Sequence, residues 1–170
     1  MLLYTQDYIE LNRAMHRQNS RYGANGGKNA QLVKELIYDM GITSILDYGC
    51  GKGGLEKALN GLVPFQGYDP ALTSGELVPA ELVTCTDVME HIEPDCVDAV
   101  LAHLFSLCTS MALFVISCEQ GTRVLPNSQY AHCSVHSAAW WNDRLAPYGT
   151  VLGMPQVERG VKEAVFLVKL

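Results

Sequence analysis

Apolar residues recur in short runs along this chain, and their spacing alternates between a helical and an extended period. Tyr4, Tyr8, Leu11 and Met15 fall at helical intervals, so residues 5–18 read as an amphipathic helix. Glycines in residues 21–27 (RYGANGG) break it. A second helix follows, with Ala30, Val33, Leu36, Ile37 and Met40 inward and Gly41 as its C-terminal cap. Residues 44–48, 65–68 (FQGY), 82–86 (LVTCT) and 111–117 (MALFVIS) are short apolar runs and read as strands. Residues 55–59 suit a short helix. Residues 94–109 suit a longer one, with Pro94 in its first turn and Val97, Val100, Leu101, Leu104 and Phe105 on one face. After a polar loop over 118–130, Ser137 caps a helix running to about Leu145. Strands near Val151 and over 164–169 close the chain.

Strands alternating with helices predict an α/β fold whose mostly parallel sheet is covered on both faces. The interval between Asp69 and Leu82 is too short for a crossover helix plus another strand, so the sheet is expected to be trimmed there. No repeat, low-complexity tract or linker divides the sequence. Residues 1–170 read as a single domain, with 1–41 as an N-terminal helical arm.

A hydrophobic content of 48% fits a folded domain with a sizeable core. The net charge of −6 argues against binding long nucleic acid by bulk electrostatics. That charge is uneven: residues 1–34 hold five basic and two acidic side chains, +3 in all, which leaves −9 elsewhere. Such an arm either steers an anionic substrate or is a solvated helix face. Six cysteines without a CxxC pair read as reduced, mostly buried thiols. With no signal peptide and no membrane-spanning run, a cytoplasmic protein is expected.

The candidate chemistry centres on SILDYGCGKGG, residues 44–54. A strand carrying Asp47 runs into Gly49, Cys50, Gly51, Gly53 and Gly54, where a helix begins. Glycines at this spacing permit a tight turn and close approach of a ligand. Asp69, at the end of the next strand, is spaced as an acid that binds ribose hydroxyls, although an aspartate there also caps turns. The pattern satisfies a dinucleotide fingerprint. Asp47, however, would crowd a pyrophosphate and suits a ligand bearing an ammonium and a sulfonium.

Asp47-Tyr48-Gly49-Cys50-Gly51-Lys52-Gly53 resembles the D-x-G-x-G-x-G first motif of class I S-adenosylmethionine-dependent methyltransferases. Residues 82–92 (LVTCTDVMEHI) are similar to the fourth-strand segment of ubiquinone-biosynthesis-type O-methyltransferases and of compact, bacteriophage-type members. The resemblance covers residues 44–117. It implies a Rossmann-like methyltransferase sheet, mostly parallel with an antiparallel last strand, trimmed between the second and fourth strands of the family pattern. It also implies S-adenosyl-L-methionine as cofactor. Asp47, Gly49, Cys50 and Gly51 would hold its methionine part and Asp69 its ribose; residues 73–77 would face the adenine, and Cys85 and Thr86 would border the methyl group. The N-terminal extension, including Tyr22, would act as a lid.

Asp87, Glu90 and His91 lie at i, i+3 and i+4, on one face if a helix starts at the strand end. Two carboxylates and an imidazole suit Mg, Mn or Zn. This spacing resembles the metal motif of small-RNA terminal 2′-O-methyltransferases, which add a histidine before a capped helix. His132 fits that place and His136 competes for it. Glu90 and His91 also fit a metal-free turn. By this resemblance the chain transfers a methyl group to an oxygen or nitrogen nucleophile of a small-molecule or nucleotide-type acceptor, with His91, His132 or Asp87 as proton acceptor or metal ligand. The alternatives are an NAD-linked oxidoreductase and a non-catalytic cofactor-binding module. Trp140 and Trp141 divide between core and surface, with a pocket role open for either.

Overall fold

The computed structural model describes residues 2–152 and 162–170. Six strands form one sheet in the order β2-β1-β3-β4-β6-β5. They are β1 (Ile45–Tyr48), β2 (Phe65–Tyr68), β3 (Ala80–Thr86), β4 (Cys108–Ser117), β5 (Thr150–Val151) and β6 (Glu163–Lys169). The first four run parallel, and β6 enters antiparallel between β4 and β5. Neither helix nor strand lies between β2 and β3, which is the trimming expected from the short interval. Gln66 covers part of the edge left open: its side-chain amide bonds the Glu76 carbonyl and the Val78 N–H, each at 3.0 Å. A side chain thus engages the backbone of the following segment beside the edge strand.

The strand period sorts the core. Leu46, Val83, Cys85, Ala112 and Phe114 face one side of the sheet and pack on α4 (Val97–Ser106) and α5 (Ala138–Leu145). Ile45, Leu82, Met111 and Leu113 face the other and pack on α2 (Ala30–Met40) and α3 (Gly54–Leu59). Successive residues of a strand point to opposite faces, so both faces bury apolar side chains. Gly41 ends α2 in the left-handed region, as its sequence position indicates. The helix expected over 94–109 is shorter: a 3₁₀ turn, Pro94–Cys96, precedes α4, and β4 has already begun at Cys108.

The arm begins with α1 (Gln6–Gln18), capped by Thr5, whose hydroxyl accepts the Tyr8 N–H. Its buried side chains are Ile9, Asn12, Met15 and His16 rather than the expected Tyr8 and Leu11. The apolar stripe is displaced because α1 lies across the carboxyl ends of the strands, where the buried surface is partly polar. Among the described residues no helix is long and apolar enough to cross a membrane.

Candidate active site

The carboxyl ends of β1, β2 and β3 open into a pocket that is continuous with solvent on one side. This is where an open α/β sheet places its ligand. Asp47, Gly49, Cys50, Gly51, Asp69 and Thr86 line its floor. Tyr8, Asn12 and His16 of α1, with Tyr22, form a roof. Side-chain ties from Thr5, Arg13 and Lys52 help to hold that roof down. Thr5 donates to Glu93 from its backbone and its hydroxyl, both at 2.8 Å. The Arg13 Nε donates to the Ala71 carbonyl at 3.2 Å. The Lys52 Nζ reaches the Asn19 and Ser20 carbonyls at 2.8 and 3.0 Å.

Asp47 is buried at the end of β1 and accepts the Thr84 hydroxyl hydrogen at 2.7 Å. Burial pushes its pKa up to about 6, with the Thr84 bond acting against that rise. A cationic ligand would relieve this desolvated carboxylate. Asp69 uses one oxygen to accept the Ala71 N–H at 2.9 Å and turns the other toward His16 Nε2, 3.7 Å away. It therefore caps a turn and faces the pocket at once.

The glycine loop does two jobs. Gly49, at φ +88°, lies so near Val88 that a Cβ would stand 2.2 Å from its Cγ2. Gly54 backs onto the arm, where a Cβ would meet the Ala24 carbonyl oxygen at 2.8 Å and the Gly27 nitrogen at 3.1 Å. The N-terminus of α3 is thus covered by the 3₁₀ turn Asn25–Asn29, and the pocket reaches the loop only through Gly49, Cys50 and Gly51.

Three expectations need correction. Cys85 and Thr86 do not share the pocket: Thr86 lines it, whereas Cys85 is fully buried in the core beneath α4. Adjacent strand residues face opposite ways, so one of the pair had to be core. Residues 73–77 do not line the pocket, whose wall there is Asp69, Pro70 and Ala71. Asp87 does not join Glu90 and His91. It takes a left-handed φ of +57°, and only a single 3₁₀ turn, Met89–His91, follows, so helical spacing does not apply. Its carboxylate accepts from the Lys28 Nζ at 2.9 Å, and the same ammonium donates to Glu163 at 2.8 Å.

Glu90, His91 and His132 instead come together, with one donor atom of each within 4.8 Å of the others. His91 and His132 meet edge to face, their ring centroids 4.7 Å apart. His91 Nδ1 donates to the Ala131 carbonyl at 2.8 Å, and His132 Nδ1 lies 2.9 Å from the Glu119 carbonyl. The Ala131 carbonyl on Nδ1 leaves the His91 Nε2 lone pair available, whereas His132 Nδ1 is also approached by the Gly121 N–H at 3.2 Å. Glu90 is buried; its Oε1 accepts the Ser117 N–H, and its Oε2 is buried without a partner. Burial raises Glu90 to about 8 and lowers His91 to about 4, the latter helped by His132. His136 is elsewhere, stacked on Trp140 at 3.7 Å. Trp141 is fully buried, and neither tryptophan lines the pocket.

Asn12 and Arg123 also line the pocket, beyond the residues that the sequence motifs indicate. Asn12 carried a signal, since Tyr8, Asn12 and His16 follow one another at i+4. It accepts the Tyr22 hydroxyl hydrogen at 2.6 Å. Arg123 carried none. It is brought in by the loop after β4, where its guanidinium lies 5.4 Å from the Tyr22 ring centroid.

The fold, with this sheet order and a glycine loop after β1, is shared with solved methyltransferase structures. The chain is similar to magnesium protoporphyrin IX methyltransferase from Synechocystis PCC 6803, crystallised with bound SAH, at 16% identity and a TM-score of 0.56; the match covers 86% of this chain and 83% of that one. It is also similar to Burkholderia thailandensis 1,6-didemethyltoxoflavin-N1-methyltransferase, at 15% identity and a TM-score of 0.58 over 99% of this chain and 91% of that one. A small RNA methyltransferase superposes at 16% identity and a TM-score of 0.63, but this chain spans only 25% of its length. No protein-family model and no curated protein sequence matches the chain.

Proposed function

We propose that the chain is a methyltransferase that moves the methyl group of S-adenosylmethionine to an oxygen or nitrogen nucleophile of a small-molecule or nucleotide-type acceptor. The observation that carries this reading is the pairing of a buried Asp47 with a pocket-facing Asp69 across the glycine loop. Asp47 suits the ammonium of the methionine part. Asp69 offers acceptor oxygens to a ribose. Ala71, Val88, Ile92 and Val100 give the pocket an apolar wall suited to a flat heteroaromatic ring. NAD is disfavoured because the arm covers the N-terminus of α3, where a pyrophosphate would sit.

Glu90, His91 and His132 fit a divalent cation: the unpartnered Glu90 Oε2 and one ring nitrogen from each histidine would form one carboxylate and two imidazole donors. When bound, the cofactor would supply an electrophilic methyl on a sulfonium, and the ion a Lewis acid that lowers the pKa of the attacking oxygen. The protein's own share is placement and removal of a proton. Tyr22 faces His91 with ring centroids 6.2 Å apart and Arg123 lies over Tyr22, so these residues would confine the acceptor on that side of the pocket. Without an ion, the neutral His91 Nε2 is the proton acceptor, with His132 beside it. Asp87 is already engaged by Lys28 and takes neither role.

Calorimetric titration with S-adenosylmethionine and with NAD tests the cofactor, and S-adenosylhomocysteine production with a nucleotide and small-molecule panel tests turnover. Tight NAD binding without a response to S-adenosylmethionine overturns the reading. Full activity in excess EDTA removes the metal from it.

A further inference from the structure

We infer that His16 is the arm's half of a diol clamp: its imidazole and the Asp69 carboxylate together hold the ribose hydroxyls, so that the bound ligand adds a tie between the docked arm and the sheet. This rests on the proposed function, in which Asp69 marks the ribose site.

The argument begins with a gap. His16 Nε2 and Asp69 Oδ2 are 3.7 Å apart, and both residues line the pocket. That distance is too long for a hydrogen bond, yet one hydroxyl oxygen can stand about 2.8 Å from both atoms. The chemistry is complementary. A carboxylate only accepts, a neutral imidazole donates from one nitrogen, and a hydroxyl does both. A hydroxyl donating to Oδ2 and accepting from Nε2–H satisfies all three groups.

Neighbours set the gap. Asp69 is oriented by the Ala71 N–H on Oδ1, and among the described residues nothing donates a hydrogen bond to Oδ2. The His16 ring is held by the Tyr22 ring, with centroids 4.8 Å apart, and by Gly23, where a Cβ would lie 2.4 Å from His16 Cε1. Gly23 has a φ of +66°, so two features of that residue favour glycine beside the ring. His16 is 91% buried by its 9% exposure, and its Nδ1 has no partner. A histidine retained for structure alone normally has its polar atoms paired. This one sits beside a carboxylate without closing on it. The ties from Thr5, Arg13 and Lys52 dock α1 without a ligand, so the His16 contact is the one that depends on the ligand.

The test measures binding of S-adenosylhomocysteine and its 2′-deoxy and 3′-deoxy analogues to the full chain, to His16→Ala and to His16→Gln, with hydrogen exchange of the α1 amides in each. The wild type should prefer the ribose ligand over at least one deoxy analogue. His16→Ala should bind the ribose ligand about five- to ten-fold more weakly and bind that analogue unchanged, as loss of one hydrogen bond requires. His16→Gln keeps an N–H donor and should retain the preference within about two-fold. Ligand should protect α1 in the wild type and fail to do so in His16→Ala. Equal weakening toward all three ligands, no weakening, or identical behaviour of the two variants overturns the clamp. A wild type that binds all three alike overturns the ribose reading itself, a distinct result. Should His16→Ala not fold, His16→Gln decides alone: a lost preference with unchanged affinity for the deoxy analogue supports the clamp, and equal weakening overturns it.

Discussion

Gly51 stands so close to Gly23 that a Cβ on it would lie 2.3 Å from the Gly23 carbonyl oxygen. The same oxygen accepts the Lys52 N–H at 2.7 Å. Arm and glycine loop are therefore joined backbone to backbone, and the loop's glycines serve the arm as well as the ligand. Gly51→Ala should destabilise the fold by about 2 kcal/mol or more, through strain at a positive φ plus the clash. Gly41→Ala is the comparison: its φ is +67°, but nothing lies within 4 Å of the added Cβ. It should cost only about 1 kcal/mol. Denaturant midpoints of the two variants check the difference, and equal losses would mean that the Gly51–Gly23 contact contributes nothing.

Asp69→Ala should weaken S-adenosylmethionine binding by about 1.5–3 kcal/mol, the scale of a charge-assisted hydrogen bond. Asp69→Asn keeps the oxygen that accepts the Ala71 N–H and loses the charge, so it should fall between wild type and alanine. Calorimetry reads both. Unchanged affinity in Asp69→Ala would place the ribose elsewhere.

Cofactor affinity should fall as pH drops from 7 toward 5. Asp47 titrates near 6 in the free protein because it is buried, so below that pH a bound ammonium must displace a proton. Stability of the free protein runs the other way. The native pKa lies above the ordinary 3.8, so native Asp47 binds more protons between the two values. Its contribution is fully present below 3.8 and is lost as pH rises through about 6. Thr84→Val removes the bond that lowers this pKa and should move the affinity midpoint to higher pH. A pH-independent affinity between 5 and 7 would remove Asp47 from the ammonium site.

Binding of Mn²⁺ should release nearly one proton at pH 7, because Glu90 titrates near 8 and must ionise to act as a ligand, while His91, near 4, is already neutral. Titrations in two buffers of different ionisation enthalpy measure the release. Glu90→Gln should abolish it, and His132→Ala should weaken metal binding by about ten-fold or more. Mn²⁺ binding that survives both substitutions would place the ion away from these residues.

Much of the site was legible where the code is local. Asp47, Asp69 and the glycine loop could be read because a strand end followed by glycines is a short-range pattern. Local spacing fails where the backbone changes period. Helical spacing does not hold for Asp87, Glu90 and His91, because Asp87 turns left-handed before any helix begins. Cys85 and Thr86 part company because β3 sends them to opposite faces. On α1, hydrophobicity alone points to the stripe of Tyr8 and Leu11 and gives no sign that Asn12 is buried.

The sequence by itself determined the order of strands and helices, the trimmed interval after Asp69, and the two carboxylates flanking the glycine loop. Each depends on interactions within a few residues: φ freedom at glycine, the two-residue period of a strand, the length needed for a crossover. Only the tertiary structure decided between His132 and His136 as the neighbour of Glu90 and His91, and only it showed that Arg123 reaches Tyr22 and that His16 stands beside Asp69. Those contacts join segments more than 30 residues apart in the sequence. Packing of the arm and of the loop after β4 onto the strand ends sets them, and no local periodicity carries that information.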